Sequence, residues 1–192
     1  MTTAIATPRT DLLEIEIEVS AVLHRIADTQ RDRLDRLARA VVAADRVFVL
    51  GAGRSGLALR MTAMRLMHLG VTVFVVGDTT TPAIAAGDLL IVASGSGTTS
   101  GIVRAATTAR DVGAEVAAIT TAPDSPLAML ARPVVVVPAA DKLDRSGAAS
   151  VQYAGSLFEQ TVMLLGDALF HTLWRESGRS ADDLWPRHAN LE

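Results

Sequence analysis

Five short runs rich in valine, isoleucine and leucine alternate with stretches of helical periodicity, and this alternation most constrains the fold. The runs occupy residues 46–50, 71–76, 89–93, 115–120 and 134–137. They are almost continuously apolar, as in strands that are buried on both faces. Helical patterns separate most of them, which favours a parallel sheet covered on both sides. We therefore predict an α/β fold, a three-layer αβα sandwich around a five-stranded parallel sheet.

Long helices are predicted at both ends of the chain. Residues 10–44 carry apolar residues at intervals of three, four and seven, with a polar stretch at 27–33 that predicts a break. Residues 1–9 are expected to form a mobile lead-in. Thr10 or Asp11 is the expected cap of the first helix. Three acidic residues are expected on its solvated face, namely Glu14, Glu16 and Glu18.

The C-terminal pattern predicts one long helix over residues 150–176, which Gly178 would end. A short helix capped by Ser180 is predicted over 180–185, and residues 178–192 form a tail that we expect to contribute to a site. No linker divides the chain, so residues 1–192 are predicted to form one domain.

Charge and hydropathy limit the classes of function that the chain can have. The net charge is -3 with no concentrated basic run, which argues against nucleic-acid binding. The chain has no cysteine, and its N-terminus has no apolar core of a secretion signal. No apolar run approaches the roughly 20 residues that cross a bilayer. We therefore expect a cytoplasmic protein that is not inserted in a membrane.

The first candidate site is the glycine-rich segment 51–56, which follows the first predicted strand. Glycines let the chain turn tightly beneath a ligand, and the start of the next helix favours an anion. Arg54 adds a cation and Ser55 a hydroxyl. The glycine spacing matches neither the dinucleotide fingerprint nor the P-loop. On this evidence a phosphate site and an empty turn are equally compatible with the segment.

A second loop of alternating glycines and hydroxyl residues, 94–101, follows the third predicted strand. Serine and threonine hydroxyls can donate to phosphate oxygens, while glycines let backbone amides come close. The loop contains no lysine or acidic residue, so a small phosphate ester fits better than a metal-bound nucleotide. Both loops follow strands and should meet at the carboxyl edge of the sheet. The turn at 77–82 falls at the same edge, although a threonine- and proline-rich turn commonly binds nothing.

The pair of loops resembles the sugar isomerase (SIS) domain family, whose members bind phosphosugars. The resemblance implies that loop hydroxyls hold the phosphate and that glycines bring the backbone close. The implied phosphate-binding residues are Ser55, Ser94, Ser96, Thr98 and Thr99, and the implied backbone contacts are Gly53, Gly95 and Gly97.

Glu159 and His188 are the candidate acid–base residues. Glu159 lies early in the predicted C-terminal helix among apolar residues, where a carboxylate can act as a general base. His188 lies in the polar tail and is of the type that moves protons between oxygens near neutral pH. From the residues alone, a solvated glutamate and an exposed histidine are the commoner interpretations. His68 ends a predicted helix, whose dipole would stabilise its cation, which suggests a structural role.

Segments 64–70, 77–82, 155–160 and 187–192 narrow the resemblance to the 6-phospho-3-hexuloisomerases of the SIS family. The resemblance implies catalytic roles for Glu159 and His188. No pair of histidines has metal-ligand spacing with an acidic partner and no nucleotide motif is present, so we predict neither a metal nor a cofactor. The resemblance also implies a homo-oligomer, with a tetramer favoured, and a functional partner, the 3-hexulose-6-phosphate synthase of the ribulose monophosphate pathway. The implied activity interconverts 3-hexulose 6-phosphate and fructose 6-phosphate in that pathway, which fixes formaldehyde.

Two other classes of protein remain compatible with the sequence. One is an isomerase for another phosphosugar, such as arabinose 5-phosphate or a heptose phosphate. The other is a non-catalytic phosphosugar sensor, although residues 1–45 are short and weakly basic for a DNA-binding domain. A sensor would still bind its ligand without Glu159.

Overall fold

The computed structural model describes residues 7–140 and 150–191, and its centre is a five-stranded parallel sheet of order β2-β1-β3-β4-β5. The strands are β1 Val47–Gly51, β2 Val73–Val75, β3 Leu89–Ala93, β4 Glu115–Thr120 and β5 Val134–Val136. This confirms the predicted α/β fold. The runs at 89–93 and 115–120 have their predicted bounds, whereas β2 is half as long as the run at 71–76.

Helices cover both faces of the sheet. They are α1 Pro8–Thr29, α2 Arg31–Ala43, α3 Gly53–His68, α4 Ser100–Asp111, α5 Pro126–Leu130, α6 Ser156–Ser177 and α7 Ala181–Leu184, followed by a 3₁₀ turn at Trp185–Arg187. Across the described part of the chain, we find no helix with the length and apolar character needed to cross a membrane.

Successive residues of the central strands point to opposite faces and build two separate cores. Val47 and Ile91 face the layer that α1, α2, α3 and α6 form, whereas Phe48 and Val92 face α4 and α5. All four residues are at most 1% exposed. The continuous apolar character of the strands is therefore explained by burial on both faces.

The N-terminal helical region breaks as predicted, at Gln30. The Gln30 side chain donates to the carbonyl of Val136 and accepts from its amide at 2.8 Å. These two bonds pair backbone groups that β5, as an edge strand, would otherwise leave without a partner strand. The predicted caps Thr10 and Asp11 are wrong, because Thr7 caps α1 and pairs reciprocally with Thr10. Residues 7–9 therefore belong to the helix and its cap, and residues 1–6 lie outside the described residues.

Glu14 and Glu16 of α1 are exposed as expected, but Glu18 does not lie on a solvated face. Its carboxylate accepts bonds from the Ser150 hydroxyl, the Val151 amide and the Gln152 side chain at 2.7–2.9 Å. Burial raises the pKa of Glu18, but these three hydrogen bonds together lower it below its usual value. Glu18 thereby fixes the segment that leads into α6.

Helix α6 begins at Ser156 rather than at residue 150, because Gly155 at φ +85° precedes it. Gly178 ends the helix at φ +66°, and Ser180 caps α7 together with Asp183, as predicted. Helix α6 packs tightly on α3, since a Cβ on Gly166 would overlap the hydroxyl of Thr62. This close packing sets the start of α6 beside the start of α3.

Candidate active site

A cavity of about 160 Å³ opens at the carboxyl ends of β1 and β3. These two strands are adjacent, but the chain leaves β1 into α3 on one face and β3 into α4 on the other. Such a switch point is where ligands of open parallel sheets bind, because the two connections diverge and leave a crevice. The cavity is lined by residues 52–55, 93–96, 99, 102, 140, 154, 155, 158 and 159.

The first glycine loop lets α3 start directly against the end of β1. A Cβ on Gly51 would lie 2.8 Å from the Gly56 amide nitrogen, and a Cβ on Gly56 would overlap the Gly51 carbonyl oxygen. Gly53 takes φ +57°. Helix α3 therefore begins at Gly53, within the glycine-rich segment, and Arg54 and Ser55 lie in its first turn.

The second loop is held by hydroxyl bonds. Thr120 and Thr121 each donate to the Gly95 carbonyl at 2.9 Å, and the hydroxyls of Ser94 and Thr99 lie 3.1 Å apart. Gly97 takes φ +62°, and a Cβ there would overlap the Ser125 side chain. The loop is thus pre-formed around its glycines before any ligand binds.

Three helix N-termini without side-chain caps meet at the cavity. They belong to α3, α4 and α6, whose capping residues are Ala52, Thr99 and Gly155. Thr7, Ser125 and Ser180 cap α1, α5 and α7 with their side chains, whereas α2, which follows α1 directly and lies away from the cavity, has no side-chain cap. Uncapped amides and the positive dipole ends of helices together favour an anion. The cavity therefore has the features of a candidate anion site, to which the start of α6 contributes as well as the two loops.

Glu159 places its carboxylate in the same cavity. It lies in the first turn of α6, and its side chain is 20% exposed. Its Oε2 accepts from Arg54 Nε at 2.5 Å. The preceding Phe158 is buried and packs close to Gly95, which joins α6 to the second loop. A carboxylate thus lies beside three positive helix ends, an arrangement that suits acid–base chemistry on an anionic ligand.

The structure brings together most of the predicted site residues. The predicted residues that line the cavity are Gly53, Ser55, Ser94, Gly95, Ser96, Thr99 and Glu159. Gly97 and Thr98 are outside this lining, and the Thr98 hydroxyl instead donates to Ser96 Oγ at 3.0 Å. The turn at 77–82 does not line the cavity either.

His188 does not line the cavity of its own chain. Its ring stacks on His68 with centroids 4.0 Å apart and contacts Trp185 at 4.7 Å. His68 is 4% exposed, and its Nδ1 has no hydrogen-bond partner among the described residues. Burial, and then the charges of His188 and Arg65, lower the pKa of His68. Burial and the neighbouring charges therefore outweigh the helix dipole, and a charged His68 is disfavoured, contrary to our expectation.

Arg54 is the cavity residue whose partner the sequence did not reveal. It was expected as a cation beside Ser55, but its contact, Glu159, lies 105 residues further along the chain. No periodicity or spacing joins the two positions. Only the packing of α6 on α3 brings them together.

Comparisons with known proteins agree with this geometry. Residues 41–165 match the SIS domain. The chain is 57% identical to a 3-hexulose-6-phosphate isomerase of Mycobacterium gastri (93% of this chain, 92% of the relative) and 37% identical to that of Bacillus subtilis (93% and 98%). A crystal structure of a hypothetical protein from Methanococcus jannaschii, inferred to have the molecular function of 3-hexulose-6-phosphate isomerase, superposes with a TM-score of 0.81 at 28% identity, covering 95% of this chain and 99% of that one. The chain therefore belongs to the SIS domain family, within the group of the 3-hexulose-6-phosphate isomerases.

Proposed function

We propose that this protein is an isomerase that interconverts 3-hexulose 6-phosphate and fructose 6-phosphate. The observation that carries the proposal is the meeting of an anion site and the Glu159 carboxylate in one cavity. The names of the curated relatives supply the identity of the sugar. Under this proposal, 3-hexulose-6-phosphate synthase supplies the substrate.

The phosphate would bind at the uncapped helix ends. The amides of α3, α4 and α6 and the hydroxyls of the two loops surround the space that it would occupy. The hydroxyl ligands that we propose are Ser55, Ser94, Ser96 and Thr99, with Thr98 fixing Ser96. Anchoring the phosphate at one end of the cavity fixes the carbon chain relative to Glu159, which lowers the entropic part of the barrier.

Glu159 would act as the general base. It would take the proton from C2 of the 3-ketose, form an enediol, and return the proton to C3. A single carboxylate on one face of the sugar can perform both transfers, and such help is worth about 10²- to 10⁴-fold in rate. The 3-ketose cannot close a five-membered ring while O6 carries phosphate, so it reaches the base in open-chain form. The route moves protons and requires no external oxidant or reductant.

We further propose that His188 shuttles protons between O2 and O3 in a neighbouring subunit. Its ring lies on His68 rather than in its own cavity. Two helices carry exposed apolar residues that suit subunit contacts, with Leu12, Leu13 and Ile17 on α1 and Leu57, Met61 and Met64 on α3. Helix α3 also bears Arg54, so a contact along it would bring a second subunit to the cavity.

Mixed oligomers test the shared site. Glu159→Gln and His188→Asn should each be inactive alone, and refolding them together should restore part of the activity. Restoration requires that one subunit donates Glu159 and another His188 to the same cavity. Two inactive proteins that remain inactive after mixing, although they assemble, would place both residues in one chain.

The proposed reaction is tested with purified wild-type protein and a set of phosphosugars. A coupled assay would follow fructose 6-phosphate formed from 3-hexulose 6-phosphate, with arabinose 5-phosphate and sedoheptulose 7-phosphate as competitors. We expect turnover of the hexulose phosphate and at least tenfold lower efficiency with the others. If only another sugar is turned over, the protein is an isomerase for that sugar. If phosphosugars bind without turnover, the protein is a sensor.

A further inference from the structure

Arg54 lies where a positive charge is unfavourable. It is in the first turn of α3, and the N-termini of α4 and α6 line the same cavity. Positive helix ends disfavour a nearby cation, so the guanidinium requires an anion as partner. Among the cavity-lining residues of the described chain, Glu159 is the single carboxylate. Glu159 therefore supplies the negative charge that partners Arg54.

The contact between them leaves the arginine free to bind a second anion. Nε donates to Glu159 Oε2 at 2.5 Å, and within residues 7–140 and 150–191 the two terminal nitrogens have no hydrogen-bond acceptor. The Arg54 side chain is 64% exposed, whereas that of Glu159 is 20% exposed. Glu159 also lies close to the backbone at the start of α6, near Gly155. Arg54 is thus the member of the pair that can turn away.

We propose that Arg54 exchanges partners on substrate binding: it covers the Glu159 carboxylate in the empty site and moves to the phosphate of the substrate, which uncovers Glu159 as the base. A phosphate monoester carries more charge and more acceptor oxygens than a carboxylate, and the guanidinium fork matches phosphate in two-point contacts. This inference rests on the proposed function and adds a residue that couples binding to chemistry.

The exchange has a consequence for selectivity. A sugar without phosphate would meet a base whose oxygen is already occupied by Arg54, so it would react slowly even when it is bound. A phosphorylated sugar removes that obstacle by its own binding energy. Binding energy from a remote group would then be used for the chemical step as well as for affinity.

The test compares wild type, Arg54→Gln and a control, Arg60→Gln. Arg60 lies on the same helix, forms an ion pair with Asp78 at 2.7 Å and does not line the cavity. The readout is exchange of the C3 proton in D₂O, followed by NMR, for fructose 6-phosphate and for fructose with and without inorganic phosphate. Because Arg54 is largely exposed, all three proteins should fold, which their Tm values check.

In wild type and Arg60→Gln we expect inorganic phosphate to accelerate exchange of fructose at least tenfold. In Arg54→Gln, exchange of fructose alone should exceed that of wild type and should change less than twofold with phosphate. The KM of Arg54→Gln for fructose 6-phosphate should rise about 10- to 100-fold, as expected for loss of a charged hydrogen bond.

Two results would overturn the exchange: no stimulation by phosphate in wild type, or equal stimulation in Arg54→Gln. Neither result would by itself contradict the proposed isomerase activity. If wild type neither exchanges the C3 proton of fructose 6-phosphate nor interconverts it with 3-hexulose 6-phosphate, the isomerase proposal itself is wrong. If wild type exchanges this proton and Arg54→Gln behaves like Arg60→Gln, only the role of Arg54 is wrong.

Discussion

Two arginine–carboxylate pairs stand at opposite ends of the central strands. Arg46 and Asp88 precede β1 and β3 at the amino edge of the sheet, whereas Arg54 and Glu159 meet at its carboxyl edge. Both pairs have a nitrogen–oxygen distance of 2.5 Å. They differ in what else each charged group contacts.

We call the Arg46–Asp88 pair closed, because both Asp88 oxygens are bound within the protein and the pair does not line the cavity. Arg46 donates to both Asp88 oxygens, at 2.9 and 2.5 Å, and to the Ala83 carbonyl, while Asp88 also accepts the Ala85 amide. Asp88 is 2% exposed, and the hydrogen bonds from Arg46 hold its pKa below the usual value. The Arg54–Glu159 pair has one contact and opens on a cavity. The comparison teaches that leftover donors and access to a cavity, rather than pair distance, separate an exchangeable pair from a structural one.

Removal of the base gives the largest expected effect. Glu159→Gln should lower kcat about 10²- to 10⁴-fold, because an amide cannot take the substrate proton. Phosphosugar binding, measured by calorimetry, should persist. The matched control is Glu176→Gln, which changes an exposed residue of the same helix and should leave kcat within twofold. Equal kcat in the two variants would contradict the assignment of Glu159.

Breaking the closed pair should affect stability instead. Asp88→Asn removes the charged acceptor of two Arg46 hydrogen bonds and should lower the free energy of unfolding by about 1–3 kcal/mol, measured with urea. At 25 °C the folded variant should keep its kcat, because the pair lies at the opposite edge of the sheet from the cavity. A large loss of kcat with unchanged stability would reverse the roles that we assign to the two pairs.

Removal of one hydroxyl that lines the cavity should have a smaller effect on activity than removal of the base. Ser94→Ala removes a hydroxyl that lines the cavity and contacts Thr99 at 3.1 Å. We expect KM for the phosphosugar to rise about tenfold, as for one hydrogen bond to a charged group, with a smaller change in kcat. A change confined to kcat would instead place Ser94 beside the reacting carbons.

Acid should weaken the closed pair. The folded pKa of Asp88 lies below its unfolded value of about 3.9, so the unfolded chain takes up the proton first as pH falls. The stabilisation is present above about pH 4 and is lost as pH falls through the folded pKa. Urea titrations from pH 6 to pH 3 should show a shallower loss of stability in Asp88→Asn than in wild type. Identical slopes would mean that Asp88 is not linked to acid unfolding.

The exposed Arg60–Asp78 pair gives the smallest expected effect. Both side chains are nearly half exposed, so solvent screens the attraction. Asp78→Asn should change the free energy of unfolding by less than about 1 kcal/mol. A loss as large as that of Asp88→Asn would show that burial does not distinguish the pairs.

Burial on both faces explains why the strands were predicted well. The run at 89–93 is apolar at every position because each residue contacts one of two cores. Local rules also placed the break near Gln30 and the cap at Ser180. These local rules failed where contacts with a distant element determine where a helix begins. Helix α6 starts at Ser156, after a segment that Glu18 of α1 holds by hydrogen bonds.

The candidate site likewise has parts that local sequence predicts and parts that only tertiary packing determines. The loop hydroxyls follow strands directly, and strand ends share one edge, so Ser55 and Ser94 could be placed together from the sequence. The Arg54–Glu159 contact depends on how α6 packs on α3, and local sequence carries no record of that packing. The stacking of His188 on His68 likewise joins distant segments. Residue types suggested the chemistry, and tertiary packing determined the partners.

The most direct test of the account is to convert 3-hexulose 6-phosphate in D₂O and examine the fructose 6-phosphate product by NMR, with wild type and with Glu159→Gln. The account predicts deuterium at C3 in the wild-type product, because the enediol is reprotonated by a group that exchanges with solvent. It predicts a loss of turnover, with binding retained, in the variant. A variant with undiminished turnover would contradict an enediol mechanism based on Glu159, whereas a wild-type product that keeps the original hydrogen in full would mean that the proton on Glu159 returns to C3 before it exchanges with solvent.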